Sequence, residues 1–287
     1  MAEKKKSLSD ATKSPSSSKP SSSKSSSSKP SSSKRSSKKL SSNKLSPQNS
    51  RKKTVGRHLG FGASEAYKLL RTNLVFSTAD EKDCKIIGVT SALKGEGKST
   101  TSINLSYTLA QNNKRVLLIE GDMRIPVIAT TLKLDSPVGL SHVLAGINTL
   151  QEAVHTTELI QGLYVLPAGD IPPNPSELLS SKRMEQVLDE LTSSFDFIII
   201  DLPPVNAVSD SLATAHLLSG MIVVVRQDYC DRQSLAEAMR RMEMLQVKVL
   251  GFVFNGVESP KAQAGKYSRD RRGYGYGYGY GSSKKDT

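Results

Sequence analysis

Ala92-Leu93-Lys94-Gly95-Glu96-Gly97-Lys98-Ser99-Thr100 lies between the apolar run Ile86-Ile-Gly-Val-Thr90 and a stretch of helix-forming composition. Strand, glycine-rich turn and helix start therefore follow one another in the order a phosphate cradle requires. Glycines let successive backbone N–H groups converge on an anion, and the helix N-terminus adds the positive end of its dipole. In that cradle Lys98 reaches the β- and γ-phosphates and the Ser99 hydroxyl holds Mg²⁺, with Gly95, Glu96, Gly97 and Thr100 completing the nucleotide-binding turn. The general pattern opens on a glycine where this chain has Ala92. The expectation is a nucleoside-triphosphate site with ATP and Mg²⁺ as its ligands.

Further apolar runs alternate with helix-length segments. The runs are Val116-Leu-Leu-Ile119, Leu163-Tyr-Val-Leu166, Phe197-Ile-Ile-Ile200, Met221-Ile-Val-Val-Val225 and Val249-Leu-Gly-Phe-Val-Phe254. They read as buried parallel strands, and 99–111, 182–191, 209–218 and 232–245 as crossover helices. A helix over 64–76, capped by Ser64, precedes the first strand. The fold class is α/β: a doubly wound, mostly parallel sheet of the P-loop NTPase kind, with disordered N- and C-terminal tails. Two strands end in acid, at Glu120-Gly-Asp122-Met-Arg124 and at Asp201-Leu-Pro-Pro204. In an open α/β sheet the carboxyl ends of the strands face the ligand crevice, so Asp122 and Asp201 are the candidate metal carboxylates beside Ser99.

The chain has 287 residues and a formal charge of +13. Residues 1–53 hold fifteen of the forty Lys/Arg and two of the twenty-seven Asp/Glu, a net +13, which leaves 25 basic against 25 acidic residues elsewhere. The basic excess thus belongs to a Ser/Lys-rich segment, taken as 1–56, with too few apolar residues to offset the entropy of ordering. A basic core that reads nucleic acid specifically is excluded, whereas contact between this segment and an anionic membrane is open. No run approaches the roughly 18 apolar residues of a membrane span, and the first segment has no signal-peptide h-region. The expectation is a cytoplasmic protein with Cys84 and Cys230 as free thiols. Beyond a catalytic domain at 57–265, residues 266–287 contain Tyr274, Tyr276, Tyr278 and Tyr280 separated by single glycines. Such a strip presents accessible phenols one after another.

These motifs together resemble one family, the bacterial tyrosine kinases of capsule and exopolysaccharide synthesis. The resemblance spans roughly residues 60–287 and includes Leu166-Pro-Ala-Gly-Asp-Ile-Pro-Pro-Asn-Pro-Ser-Glu-Leu-Leu179 and Phe252-Val-Phe-Asn255-Gly-Val. It implies a catalytic set of Lys98, Glu120, Asp122, Arg124 and Asp201, with the base role shared between Glu120 and Asp122. It also implies Asn255 near the adenine and self-phosphorylation in trans of Tyr274, Tyr276, Tyr278 and Tyr280. The family has Asp where this chain has Glu120. Its self-association motif, an acid followed at three-residue steps by two arginines, reads here as Glu65, Lys68 and Arg71, and Lys lacks the bidentate fork of Arg. The implied partners are a membrane adaptor of the polysaccharide co-polymerase type, further copies of the chain in a ring that phosphorylation repels apart, a cognate tyrosine phosphatase and protein substrates of polysaccharide assembly. The adaptor would place the chain at the inner face of the cell membrane. The alternative is a partition or septum-positioning ATPase, although the signature lysine of those proteins aligns with Leu93, and they lack a tyrosine repeat.

Overall fold

Residues 55–79, 84–135 and 138–257 are described by a computed structural model. Most of the Ser/Lys-rich segment, Tyr267 and the cluster Tyr274, Tyr276, Tyr278 and Tyr280 lie outside the described residues.

Seven strands form one sheet: β1 (Lys85–Ser91), β2 (Val116–Glu120), β3 (His155–Thr156), β4 (Leu163–Leu166), β5 (Phe197–Asp201), β6 (Gly220–Arg226) and β7 (Val249–Asn255). Their order is β3-β4-β2-β5-β1-β6-β7, parallel throughout except for the antiparallel pair β3–β4. The apolar runs at 116–119, 163–166, 197–200, 221–225 and 249–254 are thus strands. The short β3 carries no periodic signal, which is why a sequence reading passes over it.

The central strands β2 and β5 are apolar up to their terminal acids because both faces are covered. The edge strand β7, expected to be buried, leaves Phe252 and Phe254 exposed because among the described residues no strand pairs with its outer side. On β2, Val116 and Leu118 pack into one core while Leu117 and Ile119 pack into the other. β5 alternates the same way, Phe197 and Ile199 against Ile198 and Ile200. One face is closed by α1 (Phe61–Ser77) and α2 (Lys98–Ala110), and the other chiefly by α4 (Leu140–Leu144), α7 (Lys182–Thr192) and α9 (Arg232–Met244). The remaining helices, α3 (Ile128–Leu132), α5 (Leu150–Ala153), α6 (Pro175–Leu179) and α8 (Asp210–Ala213), are short.

Helix α2 is buried along almost its whole length although it is rich in Ser and Thr. Two of its hydroxyls are satisfied locally, Ser102 Oγ donating to the Lys98 carbonyl at 2.9 Å and Thr108 Oγ1 to that of Asn104 at 2.6 Å, whereas the buried Ser106 hydroxyl has no hydrogen-bond partner. Asn104 Oδ1 in turn accepts the Gly56 N–H at 2.9 Å. Hydroxyls bonded back to their own helix can be buried without an orphaned donor.

Two expectations are corrected. The first helix starts at Phe61 on Gly60, and Ser64 sits within it, its N–H donating to the Gly60 carbonyl at 2.9 Å. The extended Gly60 already serves as the N-cap, so the helix begins a turn earlier. The segment 209–218 is a short helix, α8, followed by a 3-10 turn at Ala215–Leu217. Here the Thr214 hydroxyl takes the Ser211 carbonyl at 3.3 Å, competing with continued helix bonding.

Asp231 caps α9, accepting the Ser234 N–H at 2.8 Å and the Ser234 hydroxyl at 2.6 Å. The Ser234 hydroxyl, with its N–H, holds this carboxyl below its ordinary value. A carboxyl depressed in the folded state stabilises above its unfolded pKa and loses that contribution as pH falls through the folded value. Thermal-unfolding midpoints measured from about pH 5 down to about pH 2 should therefore fall less steeply for Asp231→Asn than for the parent chain. Equal slopes would remove this cap from the acid response.

Candidate active site

The phosphate loop forms because β1 ends directly at a turn that only glycine can follow. Gly95 and Gly97 have φ of +87° and +100°, and a Cβ on Gly97 would come within 2.0 Å of Asn255 Nδ2. Asn255, the last residue of β7, donates to the Glu96 carbonyl at 2.8 Å. Glu96 is itself fully buried. Its carboxylate accepts the Leu93 N–H at 2.7 Å and the Arg226 N–H at 3.2 Å. The residue between the two glycines therefore fastens the turn to its own start and to the end of β6, an internal role that the sequence pattern did not disclose.

Lys98 opens α2 and points across the carboxyl ends of β2 and β5. Its ammonium donates to Asp122 Oδ2 at 2.8 Å and stands 3.7 Å from Asp201 Oδ2. Burial by itself would lower the Lys98 pKa, but Asp201 and Asp122 outweigh it and hold the ammonium above its ordinary value. Asp201 is fully buried, and desolvation pushes its carboxyl up against the opposing pull of Lys98 and Ser99. Ser102 Oγ lies 3.2 Å from Asp201 Oδ1, whereas Oδ2 has no hydrogen-bond partner. An orphaned carboxylate oxygen beside the Ser99 hydroxyl suits a hydrated Mg²⁺, which keeps several waters and takes phosphate oxygens as further ligands. Among the described residues no group of three or more His, Cys, Asp and Glu forms a metal cage. The Ser99 hydroxyl and the Asp201 carboxylate fit a metal whose remaining ligands are water and phosphate oxygens.

Gly95, Lys98, Ser99, Asp122 and Arg124 line a cavity of about 350 Å³, within the range of small-ligand sites. Glu120 does not line it. That carboxylate is fully buried, with one oxygen accepting from the Val127 and Ile128 N–H groups, the latter at 2.6 Å, and the other accepting from Ala168 N–H at 3.3 Å. Burial raises its pKa, and these three backbone donors oppose the rise. The expected sharing of the base role therefore meets a geometric obstacle. Glu120 joins the start of α3 to the loop after β4 and has both oxygens committed, while Asp122 faces the cavity.

Arg124 sits at the cavity rim, where Nε donates to Asp210 Oδ2 at 2.8 Å and Nη2 to Asp210 Oδ1 at 3.1 Å. The hydrogen bond to Asp210 and its charge raise the Arg124 pKa further. Asp210 is fully buried at the start of α8 and also accepts the Ser176 hydroxyl, 34 positions away in sequence. Neither Asp210 nor Ser176 stood out in the sequence as part of the site; the Asn-Pro-Ser-Glu block and the Asp after Pro203-Pro204 were its traces. On α1, Lys68 Nζ bonds Glu65 Oε1 at 2.7 Å, while Arg71 Nη1 donates to the Thr108 carbonyl of α2 at 2.9 Å. The three expected interface residues lie on one helix, and all have partners within the same subunit.

The family model described as an AAA domain matches residues 84–249. The chain is 38% identical over 198 residues to the tyrosine-protein kinase YwqD of Bacillus subtilis, covering 69% of this chain and 83% of that protein. The chain belongs to the bacterial tyrosine-protein kinases. The kinase domain of the Escherichia coli tyrosine kinase ETK superposes with a TM-score of 0.65 at 31% identity, covering 75% of this chain and 80% of that one. The septum site-determining protein MinD of Pyrococcus horikoshii, complexed with Mg-ADP, matches at a TM-score of 0.52 and 24% identity over 63% of this chain and 76% of that one. That likeness concerns the fold alone. In this member of the family the phosphate loop follows β1, and the two acid-ended strands, β5 and then β2, lie side by side on one side of it.

Glu120→Gln replaces one acceptor oxygen with an NH₂ group facing backbone donors. It should cost about 1–3 kcal/mol of stability, read as a lowered midpoint in urea unfolding, while activity per folded molecule stays within about threefold. A hundredfold loss of activity at unchanged stability would return Glu120 to the chemistry.

Proposed function

We propose that this kinase transfers the γ-phosphoryl group of Mg·ATP to tyrosine hydroxyls, its own C-terminal cluster first among them. The observation that carries the reading is that Lys98, which lines the cavity with Asp122, is held between that carboxylate and the fully buried Asp201 behind it. Bound Mg·ATP supplies the transferable phosphoryl group and the charge that the metal neutralises. The residues then divide the work. The N–H groups of 95–100 cradle phosphate, and Lys98 neutralises charge on the oxygens. Ser99 and, through water, Asp201 hold the metal. Asp122 takes the proton of an entering phenol, since its carboxylate lines the cavity and Glu120's does not. Arg124 steadies the transferring group from the rim, kept in place by Asp210. Asn255, bonded to the Glu96 carbonyl behind the phosphate loop and outside the cavity lining, is assigned to the adenine side by the family resemblance alone.

Tyr274, Tyr276, Tyr278 and Tyr280 serve as acceptors from a neighbouring copy, because glycine on both sides leaves each phenol free to enter a cleft. Self-association through Glu65, Lys68 and Arg71, and its loss when the cluster gains about −1.5 to −2 charges per tyrosine, give the assembly a switch. A tyrosine phosphatase resets it. Among the described residues no helix is long and apolar enough to cross a membrane. An activating membrane adaptor, with the basic segment against anionic lipid, supplies the location at the inner face of the membrane, where the kinase controls capsule or exopolysaccharide assembly.

Purified chain incubated with ATP and Mg²⁺ should yield little phosphotyrosine alone and much at 274, 276, 278 and 280 by mass spectrometry once an adaptor's cytosolic segment is added; full activity without that segment would count against the adaptor. Lys98→Met and Asp122→Asn should each lower the rate at least about a hundredfold with the fold intact by circular dichroism. Phosphate release without phosphotyrosine would favour the partition-type ATPase, and neither product a nucleotide-binding scaffold. Asp210→Asn removes the charge that pins Arg124. It should lower kcat about tenfold with little change in the KM for ATP; a change confined to KM would contradict the positioning role.

A further inference from the structure

Tyr229 lies outside the cavity but touches the loop that forms it. The turn after β6 passes through Asp228, whose φ of +56° reverses the chain and sets Tyr229 over the phosphate loop. Its hydroxyl donates to the Lys94 carbonyl at 2.9 Å. A Cβ on Gly95 would lie 3.4 Å from the same oxygen. The Arg226 guanidinium lies over the Tyr229 ring at 5.3 Å and donates to the Gly95 carbonyl at 3.2 Å. Two consecutive carbonyls of the loop are therefore held from outside by one phenol and the guanidinium stacked on it.

Tyr229 is also accessible. It is 51% exposed, whereas Tyr107 is 7% exposed and Tyr67 and Tyr164 are half-buried. Among the described residues it is thus the tyrosine that a second enzyme molecule reaches most readily. It does not line its own copy's cavity, so a donor must be another copy.

We propose that Tyr229 is a phosphoacceptor of this kinase, modified in trans, and that its phosphate releases the phosphate loop and weakens nucleotide binding. The proposal rests on the tyrosine-kinase reading above. In the transfer the phenolic oxygen of one copy bonds to the γ-phosphorus of ATP bound to another, and the bond from that phosphorus to the β–γ bridging oxygen breaks. ADP leaves, and the phenolic proton passes to the Asp122 carboxylate of the donating copy. The modified side chain has no O–H for the Lys94 carbonyl, which loses its partner. The new charge of about −1.5 to −2 attracts the stacked Arg226 and draws it from the Gly95 carbonyl. It also stands within a Debye length, about 8–10 Å, of the loop whose N–H groups await the anionic phosphates of the nucleotide. Loosening and repulsion act in the same direction, so the mark made by the enzyme lowers its own occupancy by nucleotide.

Two measurements test this. In the first, the full chain and its Tyr274/Tyr276/Tyr278/Tyr280→Phe variant are incubated with ATP, Mg²⁺ and an adaptor's cytosolic segment over a range of protein concentrations, and the tryptic peptide 227–232 is followed by mass spectrometry. Phosphate on that peptide, rising with protein concentration, is expected. Phosphorylated tail tyrosines with an unmodified 227–232 peptide overturn the site alone, while phosphotyrosine nowhere overturns the kinase reading with it. In the second, full chain carrying phosphotyrosine at 229, installed by codon suppression, is titrated with a fluorescent ADP analogue. The expected Kd is about tenfold above that of the unmodified chain, with Tyr229→Phe, which loses only the donor, about two- to threefold above it. An unchanged Kd for the phosphorylated chain overturns the regulatory effect.

Discussion

The position of one ammonium group governs the site. Lys98 stands where the first residue of a buried helix meets the ends of two adjacent strands, held by Asp122 and within reach of Asp201. A buried ion pair of this kind contributes little net stability, because the desolvation of each charge offsets the attraction. What it provides is placement. The lysine is kept charged by its neighbours, and the carboxylates that hold it are those a metal and a phenol would engage. The sheet order places these groups together: β5 lies between β1 and β2, so the loop after β1, the acid after β2 and the acid ending β5 share one rim.

Around that centre, polar groups that look chemical in one dimension prove to be braces. Glu96 fastens the phosphate loop to itself and to β6, and Glu120 gathers three backbone N–H groups from two loops. Their burial is tolerable because acceptor oxygens meet donors that would otherwise be orphaned. The same economy holds at two positions of α2, where the Ser102 and Thr108 hydroxyls bond to the carbonyls of their own helix. The Glu120 carboxylate reaches past the end of β2 to the start of α3 and the loop after β4, away from the cavity.

Arg124 and Tyr229 show how the rim is held from outside. The guanidinium of Arg124 is shared with a buried aspartate on α8, which makes α8 part of the site although it lies 86 positions along the chain. Tyr229 and Arg226 hold the phosphate loop from its outer side. Both arrangements couple loops that are mobile elements in many nucleotide-binding proteins to the rigid ends of strands.

The order of strands and helices was legible because each is a local event: continuous apolar runs mark strands buried on two faces, and Gly95, Gly97 and Lys98 mark a turn whose backbone few other residues could adopt. That Lys98, Asp122 and Asp201 would come together was legible for the same reason, since acids at the ends of neighbouring parallel strands lie beside the turn after β1. Where the sequence offered only residue type, the outcome depended on approach between distant segments. Glu120 became a brace and Asp210 a partner of Arg124, and Tyr229 came to rest on Lys94, through contacts between positions 7 to 135 residues apart. Neither residue type nor spacing encodes which carboxylate meets a backbone donor and which meets open space. That is set by how the loops pack over the strand ends, which only the folded chain decides.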